Sequence, residues 1–207
     1  KLIPELRETW AKILAAVPKS VLVLMPFGPT WTSDYPIAPF IKTMRALFTQ
    51  RGVDEQRVQF LHTLANRADV KEVLKCGDVY LDAYPYASTT SLIDALEVGL
   101  PTVVRTGDTL RARMGAAVLQ SLTVAGLTAT SEESYIQLAV TLANDVPLRQ
   151  AKRQEILRKM QAEPSFLDSQ VFSTQIGQLL QKLFADKFGH LDKKRQKNKE
   201  KRARKKR

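Results

Sequence analysis

The sequence predicts an α/β fold: an open parallel sheet with helices on both faces. Three observations carry that prediction. Short apolar runs rich in β-branched residues alternate with stretches whose apolar residues recur at helical spacing. The strand-like runs lack polar breaks, as strands buried on both faces do. Each is separated from the next by a helix, which calls for right-handed βαβ crossovers.

The elements follow in order. Leu6, Trp10, Ile13 and Leu14 lie on one helical face, and the helix opens after Pro4 and stops before Pro18. "SVLVLMPF" (20–27) reads as a buried strand and leads into the loop "GPTWTSDYP" (28–36). A helix from about Ala38 to Arg51 ends at Gly52, placed as a C-cap. Then come "RVQFL" as strand, "RADVKEVLK" as helix, "DVYLD" as strand, "SLIDALEVG" as helix, "PTVV" as strand, and a helix from about Leu110 to Leu122. After Ser131 the strand signals stop. "SEESYIQLAVTLAND" opens with a weakened capping box, Ser131 to Ser134, and helices of about 147–161 and 168–184 follow.

The 207 residues suffice for one domain and an appendage, and 44% of them are apolar. The net charge of +11 is concentrated at the C-terminus. Residues 192–207, "DKKRQKNKEKRARKKR", hold 11 basic and 2 acidic residues, which leaves 21 basic against 19 acidic elsewhere. A run so dense in like charge is expected to be disordered, so the organisation expected is a domain over 1–186 and a basic tail over 187–207. The single Cys76 excludes an internal disulfide and a multi-cysteine zinc site, and reads as a small buried residue. No apolar stretch reaches the ~20 residues that span a bilayer, and a cytoplasmic location is expected. The chain opens on Lys1 rather than Met, as a fragment of something longer would.

Chemistry is concentrated between residues 78 and 113. In open parallel sheets, ligands bind beyond the carboxyl ends of strands, where helix N-termini present free N–H groups. "DVYLDAYPYASTTSLID" sets Ser88, Thr89 and Thr90 at such a junction, with Asp94 one turn along on the face of Thr90. A phosphate could be held there by amides and hydroxyls, and a ribose by the carboxylate. Equally, Ser88 or Thr89 could be a plain N-cap, and Asp94 an acid favoured by the helix dipole. "VVRTGDTLRARM" repeats the strand, loop and helix arrangement with Thr109, Arg105, Arg111 and Arg113. Two adjacent junctions of this kind would line one crevice. His62, at a strand's carboxyl end, could touch a base or be a partly buried side chain, and Trp31 and Tyr35 could meet a sugar or base.

Taken together, "DVYLDAYPYASTTSLIDALEVGLPTVVRTGDTLRARMGAAVLQSL" resembles the C-terminal catalytic half of O-linked N-acetylglucosamine transferases and their bacterial SPINDLY-like relatives. The shared pattern is an LD-x-x-P, a hydroxyl-rich turn followed by an acid, a Gly-x-Pro, a Gly-acid-Thr, and an Arg before a small-residue helix. "KLIPELRETWAKILAAVPKSVLVL" extends the resemblance to the N-terminus, and it runs to about Phe184.

The resemblance implies the C-terminal half of a two-Rossmann-domain, B-type glycosyltransferase, often preceded by tetratricopeptide repeats. It implies inverting transfer of a sugar, N-acetylglucosamine or another hexose, from a UDP-type donor to protein Ser or Thr, with no metal cofactor. The family's acceptor-side groups come from its N-terminal half. By the same resemblance Thr89, Thr90 and Ser91 hold the diphosphate, Asp94 the nucleoside and Arg67 the base, while the catalytic Lys1 steadies the leaving group. Thr89 stands where the family has histidine, Ser91 where it has a second threonine, and Val70 where a base-stacking histidine is usual. Those departures favour the alternative, a non-catalytic Rossmann-like module whose basic tail holds nucleic acid or another polyanion, whereas the retained Lys1, Thr90 and Asp94 favour the transferase.

Overall fold

The computed structural model describes residues 2–25 and 37–204, and side chains up to residue 189. It divides into two compact units, Lys1–Ala162 and Glu163–Arg207.

In the first unit α1 spans Pro4–Ala16 with Pro4 in its first turn, where a missing N–H costs nothing. It buries Leu6, Trp10, Ala11, Ile13 and Leu14. Its C-terminal carbonyls are taken by Arg57, which donates through Nη2 to the oxygens of Leu14 (2.8 Å) and Val17 (2.7 Å). Strand β1 (Leu22–Leu24) pairs in parallel with β2 (Val58–Phe60), Leu22 opposite Val58 and Leu24 opposite Phe60. Helix α2 (Ile37–Gln50) lies between them, followed by Gly52 at φ 73°, a left-handed conformation that suits glycine.

After α3 (Arg67–Lys75), a second parallel group holds β3 (Tyr80–Leu81), β4 (Thr102–Arg105) and β5 (Thr128–Ala129) in the order β3-β4-β5. Helices α4 (Thr90–Glu97), α5 (Leu110–Ser121), α6 (Glu132–Asn144) and α7 (Val146–Gln161) complete the unit. Helices cover both faces of the parallel sheets. Val103 and Val104 of β4 are fully buried, as are Leu92 and Leu96 of α4, Leu119 of α5 and Leu142 of α6, the helices that pack on β4. Gly115 lets α5 sit against the sheet: a Cβ there would lie 2.5 Å from Asp82 Oδ2 and 2.9 Å from Val104 Cγ1.

Two expectations are corrected. Strand β1 is not buried on both faces, because Val23 is 50% exposed while Leu22 and Leu24 are buried; it alternates as a half-covered strand does. Strand β5 carries no sequence signal, since two residues cannot establish a period, and its pairing with Val104 and Arg105 makes it a strand. In the second unit α8 spans Ser169–Arg204. Lys, Arg, Gln and Glu are all good helix formers, and that local preference follows the backbone of the preceding turns.

One buried hydrogen-bond chain ties α1, α6 and β3 together. The Tyr135 hydroxyl donates to the carbonyl of Asp82 (2.9 Å) and accepts from Trp10 Nε1 (3.3 Å). Complete burial pushes the Tyr135 phenol far above its usual range. The unfolded tyrosine ionises near ~10, so this group's contribution is intact below that pH and is lost above it. Tyr135→Phe should lower stability at pH 7 by about 1–3 kcal/mol, since two buried polar groups lose their partner. It should also flatten the fall in melting temperature above pH ~10; calorimetric scans at pH 7, 9 and 10.5 check both expectations.

Candidate functional site

The carboxyl end of β3 delivers the chain to a turn that Asp82 organises. Its side chain is fully buried, and Oδ1 accepts from the amide of Ser88 (2.9 Å). Ser88 is thereby a buried part of the turn. Thr89 occupies the N-cap of α4, but its side chain makes no capping bond and instead lies 3.8 Å from Met114 Sδ. Neither hydroxyl therefore acts as the side-chain cap that the pattern allows. Thr90 and Ser91 follow, exposed in the first turn. Ser91 Oγ accepts from the Tyr80 hydroxyl at 3.3 Å, and burial raises the Tyr80 phenol's pKa.

Asp94 is almost buried and is taken by Arg67 from the start of α3, whose Nε donates to Asp94 Oδ1. Arg67 Nη2 also donates to Glu97 Oε2 (3.0 Å), and Lys71 Nζ reaches the same oxygen at 2.5 Å. The Asp94 contact is the largest cause of the raised Arg67 pKa. Asp94 is thus neither a lone acid favoured by the dipole nor an open acceptor, and the two residues expected to face the nucleoside meet each other. Glu97 and Lys71 complete this network. Their sequence signal was the i,i+4 spacing of Arg67 and Lys71, which puts both cations on one face of α3.

The second junction lies against the first, as expected. The Ala87 amide donates to the Arg111 carbonyl (3.1 Å), and the Arg111 guanidinium stands 5.5 Å from the centre of the Tyr86 ring. Thr109 caps α5 through the amide of Ala112 (3.3 Å), and Arg113 Nε donates to the Gly107 carbonyl. Arg105, at the end of β4, lies 4.0 Å over the Tyr84 ring. Both line a cleft of about 240 Å³ with Ile3, Leu6 and Pro85, closed by Tyr135. Glu132 also lines it and is paired with Lys12 at 2.6 Å, the main cause of its lowered pKa.

Other candidates fare differently. Lys1, Trp31 and Tyr35 lie outside the described residues. His62 is exposed beyond β2, and Val70 is half-buried on α3. Cys76 is exposed at the C-cap of α3, not buried. Among the described residues no cluster of His, Cys, Asp and Glu is placed to hold a metal.

A parallel α/β sheet with paired strand-to-helix turns at its carboxyl edge is the arrangement of Rossmann-like domains, which take nucleotides at that edge. Residues 1–176 match the model of glycosyl transferase family 41, and the chain belongs to that family. It is 30% identical over 175 residues to the probable UDP-N-acetylglucosamine–peptide N-acetylglucosaminyltransferase SPINDLY of Petunia hybrida, covering 84% of this chain and 18% of that one. The rice protein of the same description is 33% identical with the same two coverages. A UDP-N-acetylglucosamine–peptide N-acetylglucosaminyltransferase of Caenorhabditis elegans is 30% identical over 70% of this chain and 12% of its own. Among solved structures, a mutant of the Thermobaculum terrenum O-GlcNAc transferase superposes with a TM-score of 0.76 at 26% identity, covering 88% of this chain and 34% of that one. The chain thus spans less than a fifth of the length of these curated relatives.

The unequal caps of α4 and α5 yield a direct test. Thr109→Ala removes a capping bond and should cost about 1 kcal/mol, whereas Thr89→Ala removes none and should cost only a few tenths. Urea unfolding of the two variants side by side checks the difference.

Proposed function

We propose that this chain is the nucleotide-sugar-binding half of a glycosyltransferase that moves a hexosyl group, N-acetylglucosamine or a close analogue, from a UDP-type donor to Ser or Thr of a protein. One observation carries the reading beyond family membership: α4 begins at the crevice with no side-chain cap, and exposed Thr90 and Ser91 stand in its first turn. Free amides at a positive dipole end, flanked by hydroxyls, suit a diphosphate. In this reading that charge is met without a metal, by the α4 amides, by Thr89, Thr90 and Ser91, and by Lys1. The Arg67–Asp94 pair faces the base and ribose as one unit.

In the transfer, the acceptor hydroxyl oxygen forms the new bond to C1 of the sugar from the face opposite the leaving group. The bond from C1 to the diphosphate oxygen breaks, UDP keeps the electron pair, and the hydroxyl proton passes to a base. The chain's own contribution is to hold the donor and stabilise charge that grows on the diphosphate, an effect worth about 3–4 kcal/mol per well-placed donor. The names of the relatives support the donor and acceptor classes. A tetratricopeptide-bearing full-length protein in the cytoplasm accords with the reading. Among the described residues no helix is long and apolar enough to cross a membrane.

Thr90→Ala and Asp94→Asn should each weaken UDP binding about tenfold, equal to about 1.4 kcal/mol, with little change in the apo melting temperature. Isothermal titration of the full-length protein checks this; two variants that bind like wild type would leave α4 a plain helix. Lys1→Ala should lower turnover more than donor affinity, read from kcat and Kd separately.

The basic stretch 187–207 is proposed to add weak, sequence-indifferent attraction to polyanions. Deleting residues 193–207 should abolish salt-sensitive retention on heparin and leave the melting temperature of the rest unchanged.

A further inference from the structure

Helix α8 of the second unit has no part in the nucleotide reading, yet its first half is sharply two-sided. Phe172, Ile176, Leu179, Leu180, Leu183 and Phe184 recur at helical spacing and fall within an arc of about 140° at 3.6 residues per turn. All six are exposed, Leu180 by 60% and Phe184 by 61%. A contiguous apolar stripe left in water marks an interaction surface. Thr174, Gln178 and Gln181 occupy the opposite face, and Lys182 and Asp186 are the only charges between residues 169 and 186.

The residues that follow the stripe narrow the partner. Residues 192–207 hold 11 basic and 2 acidic residues, so a strongly cationic run adjoins a neutral amphipathic one. A nucleic-acid duplex would answer the cations with phosphates but would bury no aliphatic stripe. A second copy of the helix would cover the stripe and bring only more cations to the basic run. An anionic bilayer answers both: apolar side chains enter the boundary between headgroups and acyl chains, about 5–10 Å deep, while Lys and Arg meet the lipid phosphates. The polar face, built of amides and hydroxyls, sets no row of carboxylates against a negative surface. Where the stripe meets the basic run, the Phe184 and Phe188 rings lie 5.0 Å apart and Lys187 Nζ stands 5.5 Å from the centre of the Phe188 ring. A lysine beside an aromatic pair can keep its stem in the apolar layer and its charge among the headgroups. From 172 to 184 the stripe is about 20 Å long, too short for the ~30 Å hydrocarbon core, so it lies along the surface instead of crossing it.

We propose that α8 and the basic stretch form a peripheral membrane anchor that lays the stripe from Phe172 to Phe184 into an anionic lipid surface. The electrostatic half rests on the polyanion reading of residues 187–207 given above. The stripe adds the apolar half and makes lipid the polyanion that is held. The two halves sum, because binding at such an interface grows with buried apolar area and with attraction to anionic lipid.

Flotation of the full-length protein with vesicles tests this, using phosphatidylcholine mixed with phosphatidylserine and phosphatidylcholine alone. The wild type should float with the mixed vesicles at physiological ionic strength and about tenfold less with phosphatidylcholine alone. The double variant Leu180→Gln, Phe184→Gln changes two exposed positions and leaves the basic run whole. It should partition about tenfold less onto the mixed vesicles, with heparin retention unchanged. Deleting residues 193–207 should weaken both. Equal flotation of the double variant and the wild type would show that the cations act alone and would overturn the anchor. Absence of flotation, with RNA bound equally by the wild type and the double variant, would assign the run to nucleic acid and overturn it too. A dimer in sedimentation that the double variant breaks, again without flotation, would give the stripe to a second copy. If the wild type binds heparin but not the mixed vesicles, the anchor alone fails; if it binds neither, the polyanion reading fails first.

Discussion

The hydrogen bonds of the Tyr135 hydroxyl with Trp10 and the Asp82 carbonyl are the constraint on which the crevice depends. They join the first helix, a helix more than a hundred residues later, and the point where β3 becomes a loop. Asp82 acts in both directions: its carbonyl is held from below by Tyr135, and its carboxylate holds the Ser88 amide above. The turn that presents Thr89 and Thr90 is therefore referenced to the core rather than to the solvent-facing loop. Apolar packing alone would allow such a loop to slide, since dispersion is not directional. Two buried bonds with fixed geometry do not allow it.

Much of the fold was legible because its signals are periodic or chemical. Leu6, Trp10, Ile13 and Leu14 announce α1, Gly52 closes α2, and Ser131 opens α6 with the capping box completed by Ser134. Strand β5 was not legible, because Thr128 and Ala129 become a strand only through Val104 and Arg105. Nor was the one-sided burial of β1, since "VLVL" reads the same whether one face or both are covered. The basic run carries two signals at once: composition speaks for net repulsion, while Lys, Arg and Gln favour helix residue by residue.

At the site, residue types could be read and their partners could not. The hydroxyl triplet is visible in sequence, but which member caps the helix depends on backbone angles at Thr89, and the answer is none. Asp94 and Arg67 each carry a charge suited to a nucleotide, yet 27 residues separate them and nothing local says that they meet. Arg105 looked like one of three arginines near a junction. Its distinction, a buried donor without an acceptor, exists only in three dimensions.

Gly115 has a consequence for how this chain can vary. The missing side chain is filled by the Asp82 carboxylate and the Val104 methyls, so α5 rests on the sheet at bare-backbone distance. Any heavier residue there would lever α5 outward, and with it Arg111, whose carbonyl the β3–α4 turn holds through Ala87. The position is a gate on sequence drift: the exposed faces of α5 can change almost freely, but one added methyl group at residue 115 would be transmitted across the helix to the mouth of the crevice.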